Sequence, residues 1–110
     1  MQQASRLTPV QLAALIGEST AEDDRPVVVD VRNAGERDAG YIPGSVHLPL
    51  AELARRAKEL PTDRPLVVHC AGGWRSSVAA SVLRRTGPAD VSDLLGGYAA
   101  WQAVTEFAGR

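Results

Sequence analysis

A chain of 110 residues with 45% hydrophobic side chains has the length of one domain, residues 1–110, and enough apolar content to fold around one core without disulfides or a structural metal. Cys70 is its single cysteine, so no disulfide can close within the chain, and a reducing, cytoplasmic setting is expected. A net charge of −1, with acidic and basic residues interspersed, offers no global field for nucleic acid or a membrane surface, and no apolar run approaches the length of a bilayer span.

Met1 to Thr8 lacks the apolar run of a signal peptide, so the chain reads as unexported. Thr8-Pro9-Val10-Gln11 predicts a helix start, with Thr8 as N-cap, proline at the first helical position and Gln11 placed to complete a capping box. Leu12, Leu15 and Ile16 supply its apolar face. The acidic stretch Glu22-Asp23-Asp24 ends at Arg25-Pro26, and Val27-Val28-Val29-Asp30-Val31 follows as a β-branched run. Apolar on both faces, it suits a strand buried in a parallel sheet. A short charged segment, Asn33 to Asp38, leads to the turn cluster Gly40-Tyr41-Ile42-Pro43-Gly44 and a brief strand around Ser45 to Leu48. Pro49 opens a second helix, in which Leu50, Leu53, Ala57 and Leu60 recur at helical spacing until Pro61.

After the turn Thr62-Asp63-Arg64-Pro65, the run Leu66-Val67-Val68-His69-Cys70 reads as a strand ending on the cysteine. A helix from about Arg75 is expected to bury Val78, Ala79, Val82 and Leu83 and to stop at Thr86-Gly87-Pro88. Val91 to Leu95 predicts another short strand, and Gly97 to Val104 a last helix anchored by Trp101. The basic pairs Arg55-Arg56 and Arg84-Arg85 fall in helical stretches, where a solvated face accounts for them. Strands alternating with helices imply an α/β domain, with a mainly parallel central sheet of about five strands and helices on both faces. Ligands bind such sheets at the carboxyl ends of strands, and Cys70 occupies such an end.

Ala71, Gly72, Gly73, Trp74, Arg75 and Ser76 lie between Cys70 and the established helix. Unpaired N–H groups at the start of that helix, together with its dipole, favour a thiolate there. The two glycines allow positive φ, so that successive N–H groups can converge on an anion. Arg75 adds a permanent cation with forked donors, and the Ser76 hydroxyl can reach the sulfur or cap the helix. Cys70 is therefore the candidate nucleophile, and Ala71 to Ser76 its candidate substrate cradle. Strand alternation turns His69 to the face opposite Cys70, which argues against a general base and against a zinc site built from His47, His69 and Cys70. No metal or cofactor is expected.

These residues resemble the rhodanese, or sulfurtransferase, family over most of the chain. Asp30-Val31-Arg32 with Glu36 is similar to the family's first signature, Gly40-Tyr41-Ile42-Pro43-Gly44-Ser45 to its second, Cys70 to Ser76 to its active-site loop, and Gly96-Gly97-Tyr98-Ala99-Ala100-Trp101 to its C-terminal segment. The resemblance implies transfer of a sulfane sulfur from thiosulfate or an organic persulfide to cyanide or a thiol, through a persulfide on Cys70. It allows a partner protein in a sulfur relay, and its rival is a persulfide-carrying or regulatory binding module with little turnover. Related phosphatases and arsenate reductases carry one more residue between cysteine and arginine, and the shorter loop here argues for sulfur as the atom transferred.

Two departures from the family pattern bear on substrate. Tyr41 stands where histidine is frequent, and is read as structural. Ala71 follows the cysteine where many thiosulfate-using members have arginine or lysine, which removes one cation from the cradle. Trp74 adds an aromatic wall that either packs on its neighbours or lines the entrance. A loop of this kind looks similar to rhodanese domains associated with persulfide dioxygenases, which implies an organic persulfide, such as glutathione persulfide, as donor. Arg32 and Glu36 are expected to pair and to fix loops rather than to act chemically.

Overall fold

Three buried runs, Val27–Asp30 (β2), Leu66–His69 (β4) and Val91–Leu94 (β5), form the centre of a parallel sheet in the computed structural model, which describes residues 5–18, 26–61, 63–71, 74–86 and 90–108. Two short strands complete it, Ser5–Leu7 (β1) beside β5 and Val46–His47 (β3) beside β2. The order is β1-β5-β4-β2-β3, with every neighbouring pair parallel. Register pins Val28 opposite Val67, Val29 opposite Val68 and Asp30 opposite His69, so β2 and β4 end at the same level.

Alternation along the strands divides the core in two. Val27, Val29, Val31, Leu66, Val68 and Cys70 face one side. There they meet Leu53 and Leu60 from the segment after β3, and Ala79, Ala80 and Leu83 of helix α4, Trp74–Thr86. Val28, Val67 and Leu94 face the other side. That side is covered by Leu12 and Ile16 of α1, Pro9–Glu18, and by Tyr98 and Trp101 of α5, Gly97–Ala108, with Ile42. Each layer buries its apolar stripe against the sheet, which is what holds an α/β sandwich together. Among the described residues, no helix is long and apolar enough to cross a membrane.

The helix start at Thr8 forms as expected: the Gln11 N–H donates to the Thr8 hydroxyl, and the Thr8 N–H to the Gln11 side chain. Several expectations need correction. The charged segment after β2 is a helix, α2, Ala34–Ala39, closed by a reciprocal capping box between Asn33 and Glu36. The helix expected from Pro49 to Pro61 is three short pieces, a 3-10 turn at Leu50–Glu52, α3 at Leu53–Arg56 and a second 3-10 turn at Ala57–Glu59. Its apolar spacing still delivers Leu53 and Leu60 to the core, while i to i+3 bonds tighten both ends.

Val78 is 45% exposed rather than buried. The buried stripe of α4 runs through Ala79, Ala80 and Leu83, and a residue one step before Ala79 is rotated about 100° away from it. Leu15 likewise projects to solvent while Leu12 is fully buried. The acidic stretch at Glu22-Asp23-Asp24 and the helix stop at Gly87-Pro88 lie outside the described residues.

Candidate active site

Cys70 follows the last residue of β4, a strand flanked by β5 and β2, and precedes α4. Its side chain has no exposed surface. The Ser76 N–H donates to the Cys70 sulfur at 3.4 Å, and the thiol lies 3.7 Å from the Ser76 hydroxyl oxygen, to which it donates. Ser76 belongs to the first turn of α4, where backbone N–H groups have no carbonyl one turn back. Of the two roles expected for its hydroxyl, contact with the sulfur is present.

The carbonyls at the foot of the loop are held by another helix start. The Tyr98 N–H donates to the Cys70 carbonyl at 2.7 Å and the Ala99 N–H to that of Ala71 at 3.4 Å. Gly97, at φ +62°, brings α5 this close, since a Cβ there would run into the carbonyl oxygens of both Cys70 and Ala71. Two helices thus converge on Cys70, α4 on its sulfur and α5 on its carbonyl. The paired glycines at 96 and 97 are the one local signal of this clamp in the sequence.

The forked donors of Arg75 are engaged by a carboxylate. Both terminal nitrogens bind the two Glu36 oxygens, at 2.7 and 2.8 Å. Those hydrogen bonds drive the Glu36 carboxyl down to about 2 and raise the Arg75 guanidinium, so both stay charged. The expected partner of Glu36 was Arg32. Arg32 instead forms a buried bidentate pair with Asp30, through Nε and Nη2 at 3.0 Å each, and donates from Nη2 to the Gly40 carbonyl at 2.7 Å. Burial alone would push Asp30 up; hydrogen bonds from the Arg32 side chain and backbone outweigh it and hold the carboxyl below its ordinary value.

Arg37 extends this network. It reaches Asp30, the Ser45 hydroxyl and the Ser45 carbonyl, and stacks on the Tyr41 ring, 4.4 Å from its centre. The two signature segments, from Asp30 and from Gly40, are thereby tied together beside the loop, and Tyr41 is structural in this sense. His69 faces away from the Cys70 side chain, toward Tyr98, with Nδ1 3.4 Å from the Cys70 carbonyl. Its Nε2 lies 4.0 Å from Asp30 and has no hydrogen-bond partner among the described residues. Burial lowers its affinity for a proton despite the nearby carboxylate. His47 contacts the Arg32 carbonyl at 2.8 Å, so His47, His69 and Cys70 do not converge on one point.

Trp74 opens α4 and is 72% exposed, so it does not pack inward. Gly72 and Gly73 lie outside the described residues. What the described geometry provides is a buried thiol aligned by a helix N–H, a main chain braced by α5, and an ion pair that fixes the first turn of α4.

The family model for the Rhodanese-like domain matches residues 8–104. Among curated proteins, the chain is 36% identical over 104 residues to the thiosulfate sulfurtransferase GlpE of Pseudomonas savastanoi pv. phaseolicola, covering 94% of this chain and 92% of that protein. It is 32% identical over 103 residues to the putative sulfur carrier protein YrkF of Bacillus subtilis, covering 94% of this chain. The chain spans 59% and 55% of the two Bacillus subtilis relatives it matches, a little over half their length. A crystal structure of a rhodanese-related protein from Thermoplasma volcanium superimposes with a TM-score of 0.80 at 29% identity, over 93% of both chains.

Proposed function

The chain belongs to the rhodanese-like domain family, and from that premise we propose that it is a sulfurtransferase carrying a sulfane sulfur as a persulfide on Cys70. The reading rests on one contact: the Ser76 N–H, at the start of α4, directed at the Cys70 sulfur from 3.4 Å. A donor in that position stabilises an anionic sulfur whether it is a thiolate or a persulfide, because N–H groups in the first turn of a helix point outward and the helix dipole favours negative charge there. The Ser76 hydroxyl, 3.7 Å from the sulfur, is placed to add a second donor once the thiol proton is gone.

In the first half-reaction the Cys70 thiolate attacks the outer sulfur of thiosulfate or the terminal sulfur of an organic persulfide. A new S–S bond forms, the old one breaks, and its electron pair leaves with sulfite or with the organic thiolate, which takes up the proton that the transferred sulfur carried and departs as the thiol. In the second, cyanide or a thiolate attacks the terminal sulfur, and the Cys70 thiolate departs with the bonding pair, giving thiocyanate or a new persulfide. No external oxidant is consumed. With a single cysteine in the chain, the persulfide has no internal thiol to resolve it, so the acceptor is a small thiol, cyanide or a partner protein.

The loop Ala71, Gly72, Gly73, Trp74, Arg75 and Ser76 is proposed as the substrate cradle. Ala71 brings no charge, and the fork of Arg75 is engaged by Glu36, so the cradle is short of cations for a small dianion. That supports an organic persulfide, of the glutathione type, over thiosulfate as the preferred donor. The second reading, a persulfide carrier with little turnover, draws support from the likeness to the putative sulfur carrier of Bacillus subtilis.

Intact mass after incubation with thiosulfate or glutathione persulfide tests the proposal. Gain of one sulfur atom, lost in Cys70→Ser, is expected, followed by catalytic release on adding cyanide or thiol. An adduct that discharges only once or very slowly would favour the carrier reading. Absence of any adduct with either donor would overturn both.

A further inference from the structure

Beside the loop lies a cleft of about 390 Å³, lined by Arg6, Trp74, Ser77, Asp93, Leu95 and Gly96 among others. It shares its walls with the residues that hold Cys70: Ser77 follows Ser76, whose N–H touches the sulfur, and Gly96 precedes Gly97, against which the Cys70 and Ala71 carbonyls rest. We propose that this cleft binds the body of a carboxylate-bearing organic persulfide, with Arg6 holding the carboxylate and Trp74 and Leu95 forming the apolar walls. The inference rests on the sulfurtransferase reading and names the substrate class.

Size is the first argument. The volume falls within the range that houses drug-sized organic ligands, whereas thiosulfate, with five heavy atoms, would leave most of it to water. Charge is the second. Asp93 is nearly buried at the base, where it accepts from the Ser77 hydroxyl through Oδ2 at 3.2 Å and meets Arg6 Nε through Oδ1 at 3.6 Å. That contact is made by the Nε of Arg6, whose side chain is 58% exposed and whose terminal nitrogens donate no hydrogen bond among the described residues. A guanidinium held beside a buried carboxylate and largely exposed suits a planar carboxylate, which it can bind with two parallel hydrogen bonds.

Third, the cleft has apolar walls beside exposed apolar surface. Trp74 is 72% exposed, and Val78, one turn further along α4, and Leu95 also project to solvent. A large indole left in water at the mouth of a cleft gains by covering the carbon skeleton of a ligand. A cation, an aromatic wall and a neighbouring sulfur-bearing loop suit a molecule with a carboxylate, an apolar or peptide-like middle and a terminal sulfur.

The test uses two independent readouts. S-methylglutathione, which cannot transfer sulfur, is titrated against the full chain and Arg6→Gln, with binding followed by NMR shifts and tryptophan fluorescence. Turnover is measured with glutathione persulfide and thiosulfate in parallel for the wild type, Arg6→Gln, Arg6→Lys and Trp74→Ala, each first shown to be folded by circular dichroism. Arg6→Gln should lower the ratio of kcat/KM for glutathione persulfide over thiosulfate about tenfold, with Arg6→Lys partly restoring it. S-methylglutathione should shift Arg6, Trp74 and Leu95 signals in the wild type and bind about tenfold more weakly to Arg6→Gln.

Sulfur transfer from both donors with a ratio that Arg6→Gln leaves alone would overturn the cleft assignment while sustaining the sulfurtransferase reading. Binding that depends on Arg6 without transfer from either donor would sustain the cleft as an organic carboxylate site and overturn the reading beneath it.

Discussion

Glu36 and Arg75 form a bidentate ion pair that joins α2 to the first turn of α4 across 39 positions of sequence. Through it the capping box of one short helix is coupled to the residue next to Ser76, whose N–H faces the candidate nucleophile. Arg75 is thus read as a positioning residue. Glu36→Gln, which keeps size and loses charge, should lower stability by about 1 kcal/mol, the scale of a partly exposed bidentate pair. A fall in Tm of about 4 °C would follow for a chain of this size. Sulfur transfer should weaken together with stability, whereas an unchanged Tm and unchanged kinetics would deny the pair any positioning role.

The same pair sets a pH dependence whose sign is determined by Glu36. Its folded value of about 2 lies below the ordinary 4.5, so its contribution is fully present above 4.5 and is lost as pH falls toward 2. Urea denaturation of the wild type and Glu36→Gln should therefore show a stability gap at neutral pH that closes across this window. Asp30 is also held low and makes both proteins acid-sensitive, but its contribution cancels in the difference. A gap that persists undiminished near pH 2 would mean that the carboxylate charge is not what stabilises the pair.

His69 works at higher pH. Burial lowers its proton affinity from the ordinary 6.5, so the unfolded chain takes up a proton before the folded one does. Stability is then complete above 6.5 and declines as pH falls below it, by up to about 1.4 kcal/mol per pH unit until the folded form also protonates. His69→Gln removes the titration and should flatten the stability profile of the wild type between about pH 6.5 and 5, measured by chemical denaturation at each pH. An identical slope in both proteins would place the proton uptake elsewhere.

How far these relationships were legible in the sequence depends on their range. Strands β2, β4 and β5 are continuous buried runs, and the Thr8 capping box is a pattern within four residues, so both are visible locally. The α2 helix hid behind its charge, although Asn33 and Glu36 carry the same reciprocal cap as Thr8 and Gln11. A three-residue edge strand such as β1 has too little length for any periodicity to register. Nearness in sequence favours a pair between Arg32 and Glu36. Only the parallel register of β2 and β4, which sets the loop after β2 beside the loop after β4, brings Glu36 to Arg75 and leaves Arg32 to Asp30. The cleft is invisible for the same reason, since Arg6, Trp74 and Asp93 meet only when β1 pairs with β5 next to α4.

Gly97 offers the sharpest test of the clamp on the loop, because a second glycine separates backbone strain from crowding. Gly44 and Gly97 both have positive φ, +82° and +62°, so alanine at either strains the backbone by about 1–2 kcal/mol. At Gly44 a new Cβ meets nothing within 4 Å; at Gly97 it strikes the Cys70 carbonyl and lies 2.6 Å from that of Ala71. Neither atom is the tip of a flexible side chain. To accept alanine, α5 must withdraw, and the Tyr98 N–H then loses its 2.7 Å bond to the Cys70 carbonyl. Gly97→Ala should therefore cost about 3 kcal/mol or more, against about 1 for Gly44→Ala, with denaturant midpoints as the measure. Persulfide formation on Cys70, followed by mass, should slow in Gly97→Ala even under conditions where it remains folded, because the loop loses its brace. Equal losses of stability in the two variants would mean that strain alone operates, and that the carbonyl contact with α5 does not position the loop.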